Sequence, residues 1–203
     1  MSKGQETRQR LLDSAQQLMY SRSYSDVGVQ EICKDAKVQK GSFYHFFSSK
    51  SALTVEVLEQ LKMQMIESIL LPAFAKDLTP SRRFERFIDY AYQYQVQIKE
   101  EYGYVLGCPM GNIALEMSTQ DEKIRKKVEA LFESIFYVFV DVLDDAKIAG
   151  EIDEDADTTE LAQVCLAYGE GVLLVAKTKN DPEVVKQLLP YVSKLIGFKG
   201  LPG

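Results

Sequence analysis

The side chains best suited to binding a polyanion are gathered in one short stretch. Lys40, Gly41, Ser42, Tyr44 and His45 are nearly contiguous, and Lys50 follows closely. Ammonium, hydroxyl, phenol and imidazole groups all donate hydrogen bonds, so whatever they meet must present acceptors. If residues 39–47 form a helix, Phe43, Phe46 and Phe47 share its inward face. At 3.6 residues per turn the opposite face is Gly41, Tyr44 and His45, flanked by Lys40 and Ser42. A glycine at the centre of an exposed helix face costs about 1 kcal/mol relative to alanine. Such a cost makes sense where the backbone must approach a partner closely. Gln30 and Gln39 add side-chain amides, and with Ser42 they are candidates for base or sugar contacts.

Other chemistry is poorly supplied. His45 is the only histidine, and no second base, nucleophile pair or phosphate-binding glycine loop accompanies it, so no catalytic residues are assigned and an enzyme is not expected. The acidic run through Asp153, Asp155 and Asp157 lacks the glycine and the distal glutamate of a calcium loop and reads as a solvated turn. Cys33, Cys108 and Cys165 are odd in number and widely spaced, which builds neither a disulfide framework nor a zinc site. No metal and no cofactor is expected.

The elements that must hold the donor stretch follow from hydrophobic spacing. Val29, Ile32, Cys33 and Ala36 fall at i, i+3, i+4 and i+7, one buried face of a short helix, and the pattern breaks at Lys37 and Val38. Two short helices joined by a tight turn are the helix-turn-helix plan, whose second helix enters the DNA major groove. A first helix over about Gln5–Ser21 supplies Leu11, Leu12, Ala15, Leu18 and Met19 to cover both, and places Lys3, Arg8 and Arg10 near phosphates. Ser48 and Ser49 read as caps of a fourth helix. Lys50 then sits at the positive end of a helix dipole, a penalty that a bound phosphate would reverse. The formal net charge of -6 hides an asymmetry: residues 1–50 hold eight Lys and Arg against five Asp and Glu. Affinity for phosphate follows the local field, so this basic head on an acidic body is compatible with DNA.

The string Val38-Gln-Lys-Gly-Ser-Phe-Tyr-His-Phe-Phe-Ser-Ser-Lys50 resembles the DNA-binding signature of the TetR family of transcriptional regulators. The resemblance implies an all-α fold of about nine helices. Its three-helix head would span residues 1–48, and an effector-binding and dimerisation body residues 49–203, with helix 49–70 connecting them. It implies a regulator that binds double-stranded palindromic operator DNA as a homodimer and is released by an effector. Lys40 and Lys50 would position the head on phosphates, with Tyr44 reaching a phosphate and His45 solvated or stacking on the same face. The chain departs from the family at Val27 and Gly28, where a Thr or Ser cap is usual. An architectural DNA-binding protein with no inducer is the alternative reading.

In the body, Thr79-Pro80 marks the start of helix five, which runs to about Glu100. Gly107-Cys108-Pro109 marks the start of helix six, with Cys108 at the cap, where the dipole favours a thiolate. Gly107 to Glu116 resembles a TetR subgroup carrying Gly-Cys-x-x-x-Asn-hydrophobic-x-x-Glu, some of whose members sense electrophiles or oxidants through that cysteine. Lys177 suits the C-terminal end of a helix dipole and also matches a lysine of the same subgroup; our expectation is that it approaches Cys108 and favours its thiolate, or reacts with its oxidised form. Helix seven is expected to start at Ser118 or Thr119 and to end before Gly150. Helix eight, about residues 158–178, is apolar on two faces, and helix nine, about 182–196, carries a kink at Pro190. These two helices are expected to pair with their copies in a homodimer. Phe87, Tyr94, Tyr104, Cys108, Met110, Asn112, Phe136, Phe139, Tyr168 and Lys177 are the candidates for an effector pocket or sensor. There is no run of eighteen apolar residues and no signal-peptide core, so no membrane partner is expected and the protein is placed in the cytoplasm.

Overall fold

The computed structural model describes residues 2–199, and among these the fold is all helical. The elements are α1 Lys3–Ser21, α2 Val29–Asp35, α3 Lys40–Phe46 and α4 Lys50–Met65, which continues through a π-helical turn, Ile66–Leu70, into Leu71–Ala73. Then come α5 Pro80–Tyr102, α6 Pro109–Met117, α7 Glu122–Ile148 and α8 Thr158–Lys179. The last, α9, comprises Glu183–Leu188 and Tyr191–Ile196, interrupted at Pro190. Counted this way the described residues form nine helices, as expected.

Local chemistry sets most of these boundaries. Ser2 caps α1 in a reciprocal box with Gln5, so the helix starts at Lys3, two residues before the expected Gln5. Ser49 Oγ accepts the Ala52 N–H at 3.0 Å and caps α4. Asp157 caps α8 by accepting from the Thr159 and Glu160 N–H groups. Two expected caps differ. Thr79 occupies the cap position of α5 but makes no side-chain cap bond; instead the Glu151 carboxylate takes the Ser81 N–H at 2.7 Å. Helix α7 begins at Glu122 rather than near Ser118, because Asp121 accepts from the N–H groups of Lys123 and Ile124, and a carboxylate at the positive end of the dipole is the stronger cap.

The chain divides into two compact units. One holds the described residues up to Met63 together with Pro109–Leu131, and the other holds Gln64–Cys108 and Phe132 onward. In the first, α1, α2, α3 and α4 surround Leu11, Ala15, Ile32, Phe43, Leu53 and Val57, all fully buried. Burying a side chain the size of Phe43 stabilises the fold by about 2 kcal/mol. A charge contact inside this unit fastens the start of α7 to α4: Lys127 bonds Glu59. In the second unit Phe74, Phe84, Phe87 and Phe139 form an aromatic cluster with centroids 5.2 to 6.1 Å apart. Beside it the buried Arg83 donates to Asp145 at 2.6 Å and to the Leu78 carbonyl at 2.8 Å.

Helix α8 is the one helix among the described residues long and apolar enough to cross a membrane by length and composition. Ala162, Cys165, Val172 and Ala176 are buried on one side, whereas Val164, Leu174 and Val175 are exposed on another. The helix thus leaves apolar side chains open in the single chain, though not along either of the two faces read from the sequence: Val164 and Val175 fall in one stripe with the buried Cys165 and Val172, and Leu174 in the other with the buried Ala162.

Candidate nucleic-acid interface and thiol site

The reading head is built as the spacing of its residues requires. Helix α2 closes with Lys37 in the left-handed region at φ 54°, and the Val38 N–H reaches back to the Cys33 carbonyl at 2.8 Å. That reversal is a Schellman turn, and it redirects the chain into α3 within three residues. Gly28 is the N-cap of α2 and makes no side-chain cap bond, as its lack of a hydroxyl dictates.

On α3, Phe43 and the following Phe47 are buried and Phe46 packs partly against the same core. Gln39, Lys40, Gly41, Tyr44 and His45 are exposed, Ser42 is half-buried, and Gln30 on α2 is exposed. Lys40, Gly41, Tyr44 and His45 therefore form the solvated face of α3, opposite Phe43. A Cβ added to Gly41 would meet nothing within 4 Å. No contact inside the chain requires glycine there, so any requirement comes from outside.

Lys50 is placed differently from its solvated neighbours. Its ammonium donates to the Tyr24 carbonyl in the α1–α2 turn and lies 3.8 Å from the centroid of the Tyr24 ring. Burial pushes the Lys50 ammonium below its ordinary pKa, and the Glu116 carboxylate opposes that shift. Near the N-terminus, Arg8 pairs with Glu56 and stacks over Phe47, and Arg10 donates to the Ala36 carbonyl. Lys3 is exposed.

The candidates in the body are dispersed. Phe139 is buried in the aromatic cluster, and the half-buried Phe87 packs against it. Phe136 stacks edgewise on Tyr137, Tyr104 is exposed, and Met110 is buried. Asn112 is half-buried. Tyr168 donates to the Leu188 carbonyl at 2.8 Å and ties α8 to α9. Tyr94 lines a groove of about 380 Å³ with Ser68, Ile69, Asp89, Tyr90, Gln93 and Gln97. This groove lies beside the π-helical turn Ile66–Leu70.

Cys108 and Lys177 lie in a more organised setting. Gly107 has φ 71°, and its backbone is held by both ends of the buried Gln95 amide, through Gly107 N–H to Oε1 at 3.2 Å and Nε2 to the Gly107 carbonyl at 3.3 Å. A Cβ on Gly107 would stand 3.5 Å from Lys177 Cβ and Cδ, so the lysine stem runs alongside the residue next to Cys108. The Cys108 thiol bonds the Glu170 carboxyl, and burial pushes the Glu170 acid up from its ordinary range. Glu170 and Lys177 are seven residues apart on α8 and share a face. The other thiols differ: burial pushes Cys165 up to about 12 and Cys33 upward.

Two glutamates of functional interest were not picked out from the sequence. Glu170 is the only charge between Glu160 and Lys177 in an otherwise apolar or small-residue helix, a signal available in the sequence. Glu116 closes the Gly-Cys-x-x-x-Asn motif but gives no local sign of its partners.

A short helix with a donor-rich exposed face, mounted on a buried helix pair through a tight turn, defines a helix-turn-helix DNA-binding module. Comparison with known proteins places it further. Residues 11–57 match the family described as bacterial regulatory proteins, tetR family, and residues 80–192 match the tetracyclin repressor-like C-terminal domain. The chain belongs to the TetR family of DNA-binding transcriptional regulators, which are not enzymes. It is 28% identical over 185 residues to the transcriptional repressor DhaR of Mycobacterium sp. (strain GP1), covering 91% of this chain and 89% of that one. It is 26% identical over 194 residues to the transcriptional repressor NemR of Escherichia coli K12, covering 94% of each. Among solved structures it is similar to the reduced form of E. coli NemR, with TM-score 0.79 at 25% identity over 96% of this chain and 100% of that one. It is also similar to a TetR regulatory protein from Rhodobacter sphaeroides, with TM-score 0.79 at 27% identity, covering 93% and 96%.

Proposed function

We propose that the chain is a homodimeric repressor that leaves a palindromic operator when an electrophile or oxidant modifies Cys108. The observation that carries this reading is the setting of that thiol. Cys108 bonds an acid that burial makes a reluctant anion, and Lys177 runs past the preceding glycine. A purely structural cysteine needs neither group, and Cys33 and Cys165 have no comparable setting. The similarity to NemR, and through it to the Gly-Cys-x-x-x-Asn subgroup, supports the same reading. An electrophilic alkene would be attacked at carbon by the Cys108 sulfur, forming a C–S bond while the thiol proton ends on the neighbouring carbon.

In this reading Lys40 and Lys50 meet phosphates, and Tyr44 reaches a phosphate over the buried Phe43. Gln39, Ser42 and Gln30 face base edges or sugars, His45 lies beside them, and Gly41 lets the backbone approach. Residues 158–178 and 182–196 form the dimer interface. The exposed Val164, Leu174 and Val175 of α8, with Tyr191 and Leu195 of α9, support this assignment. A two-fold dimer presents two α3 helices to half-sites about one DNA turn, or a small multiple, apart. The protein then acts in the cytoplasm, on the DNA it regulates. The groove beside the π-helical turn favours a second route to release, occupancy by a small ligand, because such turns often mark functional sites.

The test is selection of bound DNA from a random pool, followed by titration of the selected site with reduced and N-ethylmaleimide-treated protein. The expected result is a palindromic site, lost on alkylation of the wild type and retained by alkylated Cys108→Ser. Full binding by protein alkylated at Cys108 would overturn the sensor reading. If, in addition, no small-molecule inducer releases the DNA, the architectural alternative stands.

A further inference from the structure

Glu116 makes contacts that neither core packing nor the effector reading accounts for. It stands one residue before the end of α6, and its carboxylate gathers three donors from a single turn of the head. Oε1 accepts the Tyr24 N–H at 3.2 Å, and Oε2 accepts both the Ser25 N–H and the Ser25 hydroxyl at 3.0 Å. Ser25 is exposed, so water could serve its donors. The carboxylate therefore contributes less to satisfying the turn than to fixing its position, with charge-assisted bonds from an element more than ninety residues away in sequence.

What the turn then holds is Lys50. The Tyr24 residue whose N–H is fixed by Glu116 presents its carbonyl and its ring face to the Lys50 ammonium. One carboxylate, one turn and one ammonium form a continuous chain of contacts within a single compact unit. The lysine at its end is the first residue of α4, next to the Ser49 cap.

We propose that Glu116 is a positioning residue for DNA binding: it fixes the Tyr24–Ser25 turn, and the turn in turn aims the Lys50 ammonium at a backbone phosphate. The inference rests on the reading of Lys50 as a phosphate contact. Its sign separates it from a bland electrostatic role. A carboxylate that merely sat near DNA would repel phosphate, and its removal would tighten binding. A carboxylate that positions a cation does the reverse.

The experiment measures operator affinity against salt concentration for wild type, Glu116→Gln, Lys50→Ala and the double variant, using the site recovered from the random pool. Glu116→Gln keeps the side-chain shape and removes the charge. It is expected to weaken binding about tenfold and to reduce the magnitude of the salt slope by up to about 0.9, the value for one phosphate contact. In the Lys50→Ala background it should cost little more. Affinity equal to or tighter than wild type for Glu116→Gln, or losses that simply add in the double variant, would overturn the proposal. If Lys50→Ala keeps the wild-type slope, the phosphate reading of Lys50 fails and the inference with it. If Lys50→Ala lowers the slope while Glu116→Gln leaves it unchanged, only the inference fails. Thermal unfolding of each variant identifies a misfolded one. Should Glu116→Gln not fold, Ser25→Ala removes a single bond to the carboxylate. It is expected to lose affinity severalfold, and unchanged affinity there overturns the proposal.

Discussion

The Cys108 thiol bonds the carboxyl of Glu170, the one charge between Glu160 and Lys177 on α8. Burial raises the Glu170 acid above its unfolded value, so across the window from that value upward the folded chain holds more protons than the unfolded one. The associated stability is fully present below the unfolded carboxyl pKa and is lost as pH rises through the raised folded value. Glu170→Gln removes this dependence, and denaturant unfolding at a series of pH values checks it. The same substitution takes a potential anion away from the thiol, so N-ethylmaleimide labelling of Cys108 near neutral pH is expected to quicken. Unchanged stability profiles and labelling rates would show that the two groups are not coupled.

Gly41 offers a separation of stability from function. Its exposed position on α3 and the empty space around an added Cβ mean that Gly41→Ala should stabilise the fold by about 0.5 to 1 kcal/mol. If the bare backbone faces DNA, the same methyl group should weaken operator binding by roughly tenfold or more, a steric cost on the order of 1–3 kcal/mol. Thermal unfolding and a binding titration on one preparation read both. A stabilised variant with undiminished affinity would remove Gly41 from the interface.

Asp145 is the counter-ion of the buried Arg83, whose side chain is 8% exposed. The Arg83 guanidinium and then the Lys76 ammonium hold the Asp145 carboxyl below its ordinary range. Asp145→Asn removes the carboxylate bonded to the guanidinium, leaving the Leu78 carbonyl as its bonded acceptor and Asp77 as a charge acting at longer range, and is expected to cost about 3 kcal/mol. The unfolding midpoint should fall by roughly 6 to 12 °C for a chain of this length. Replacing both partners by apolar residues of similar volume should cost far less, because no charge is then stranded.

How far the sequence reached depended on whether the deciding contact was local. Helix starts at Pro80 and Pro109, the Asp157 cap and the break at Pro190 are set by neighbouring residues, and each falls where the sequence pattern placed it. The exposed face of α3 was equally legible, because helical periodicity alone separates Phe43 from Gly41 and Tyr44. The start of α7 was not, since Ser118, Thr119 and Asp121 all suit a cap, and which of them takes the N–H groups of the first turn, here Asp121 with Lys123 and Ile124, is not set by their spacing. The aromatic candidates show the same limit from the other side. Phe87 and Phe139 have the composition of a pocket lining, but their packing against Phe74 and Phe84 uses contacts that no local spacing encodes. Glu116 and Lys50 are linked through a turn distant in sequence from both, so their relation is visible only in three dimensions.

The exposed apolar stripe of α8 tests the assembly. Leu174 is 52% exposed and Val175 38%, and Leu195 on α9 is 50% exposed. Singly exposed apolar residues are ordinary, but these recur at helical spacing on a helix whose opposite face is already buried. In a two-fold interface each residue acts twice, so Leu174→Asp introduces two charges into one contact. It is expected to convert a dimer into monomers at micromolar concentration by sedimentation equilibrium, with the helical content of the monomer retained. Operator affinity should fall far more than for any single head variant, because each half-site is then bound without its neighbour. Persistence of the dimer would show that the contact between copies lies on another face, and the open side of α8 would then need a different partner.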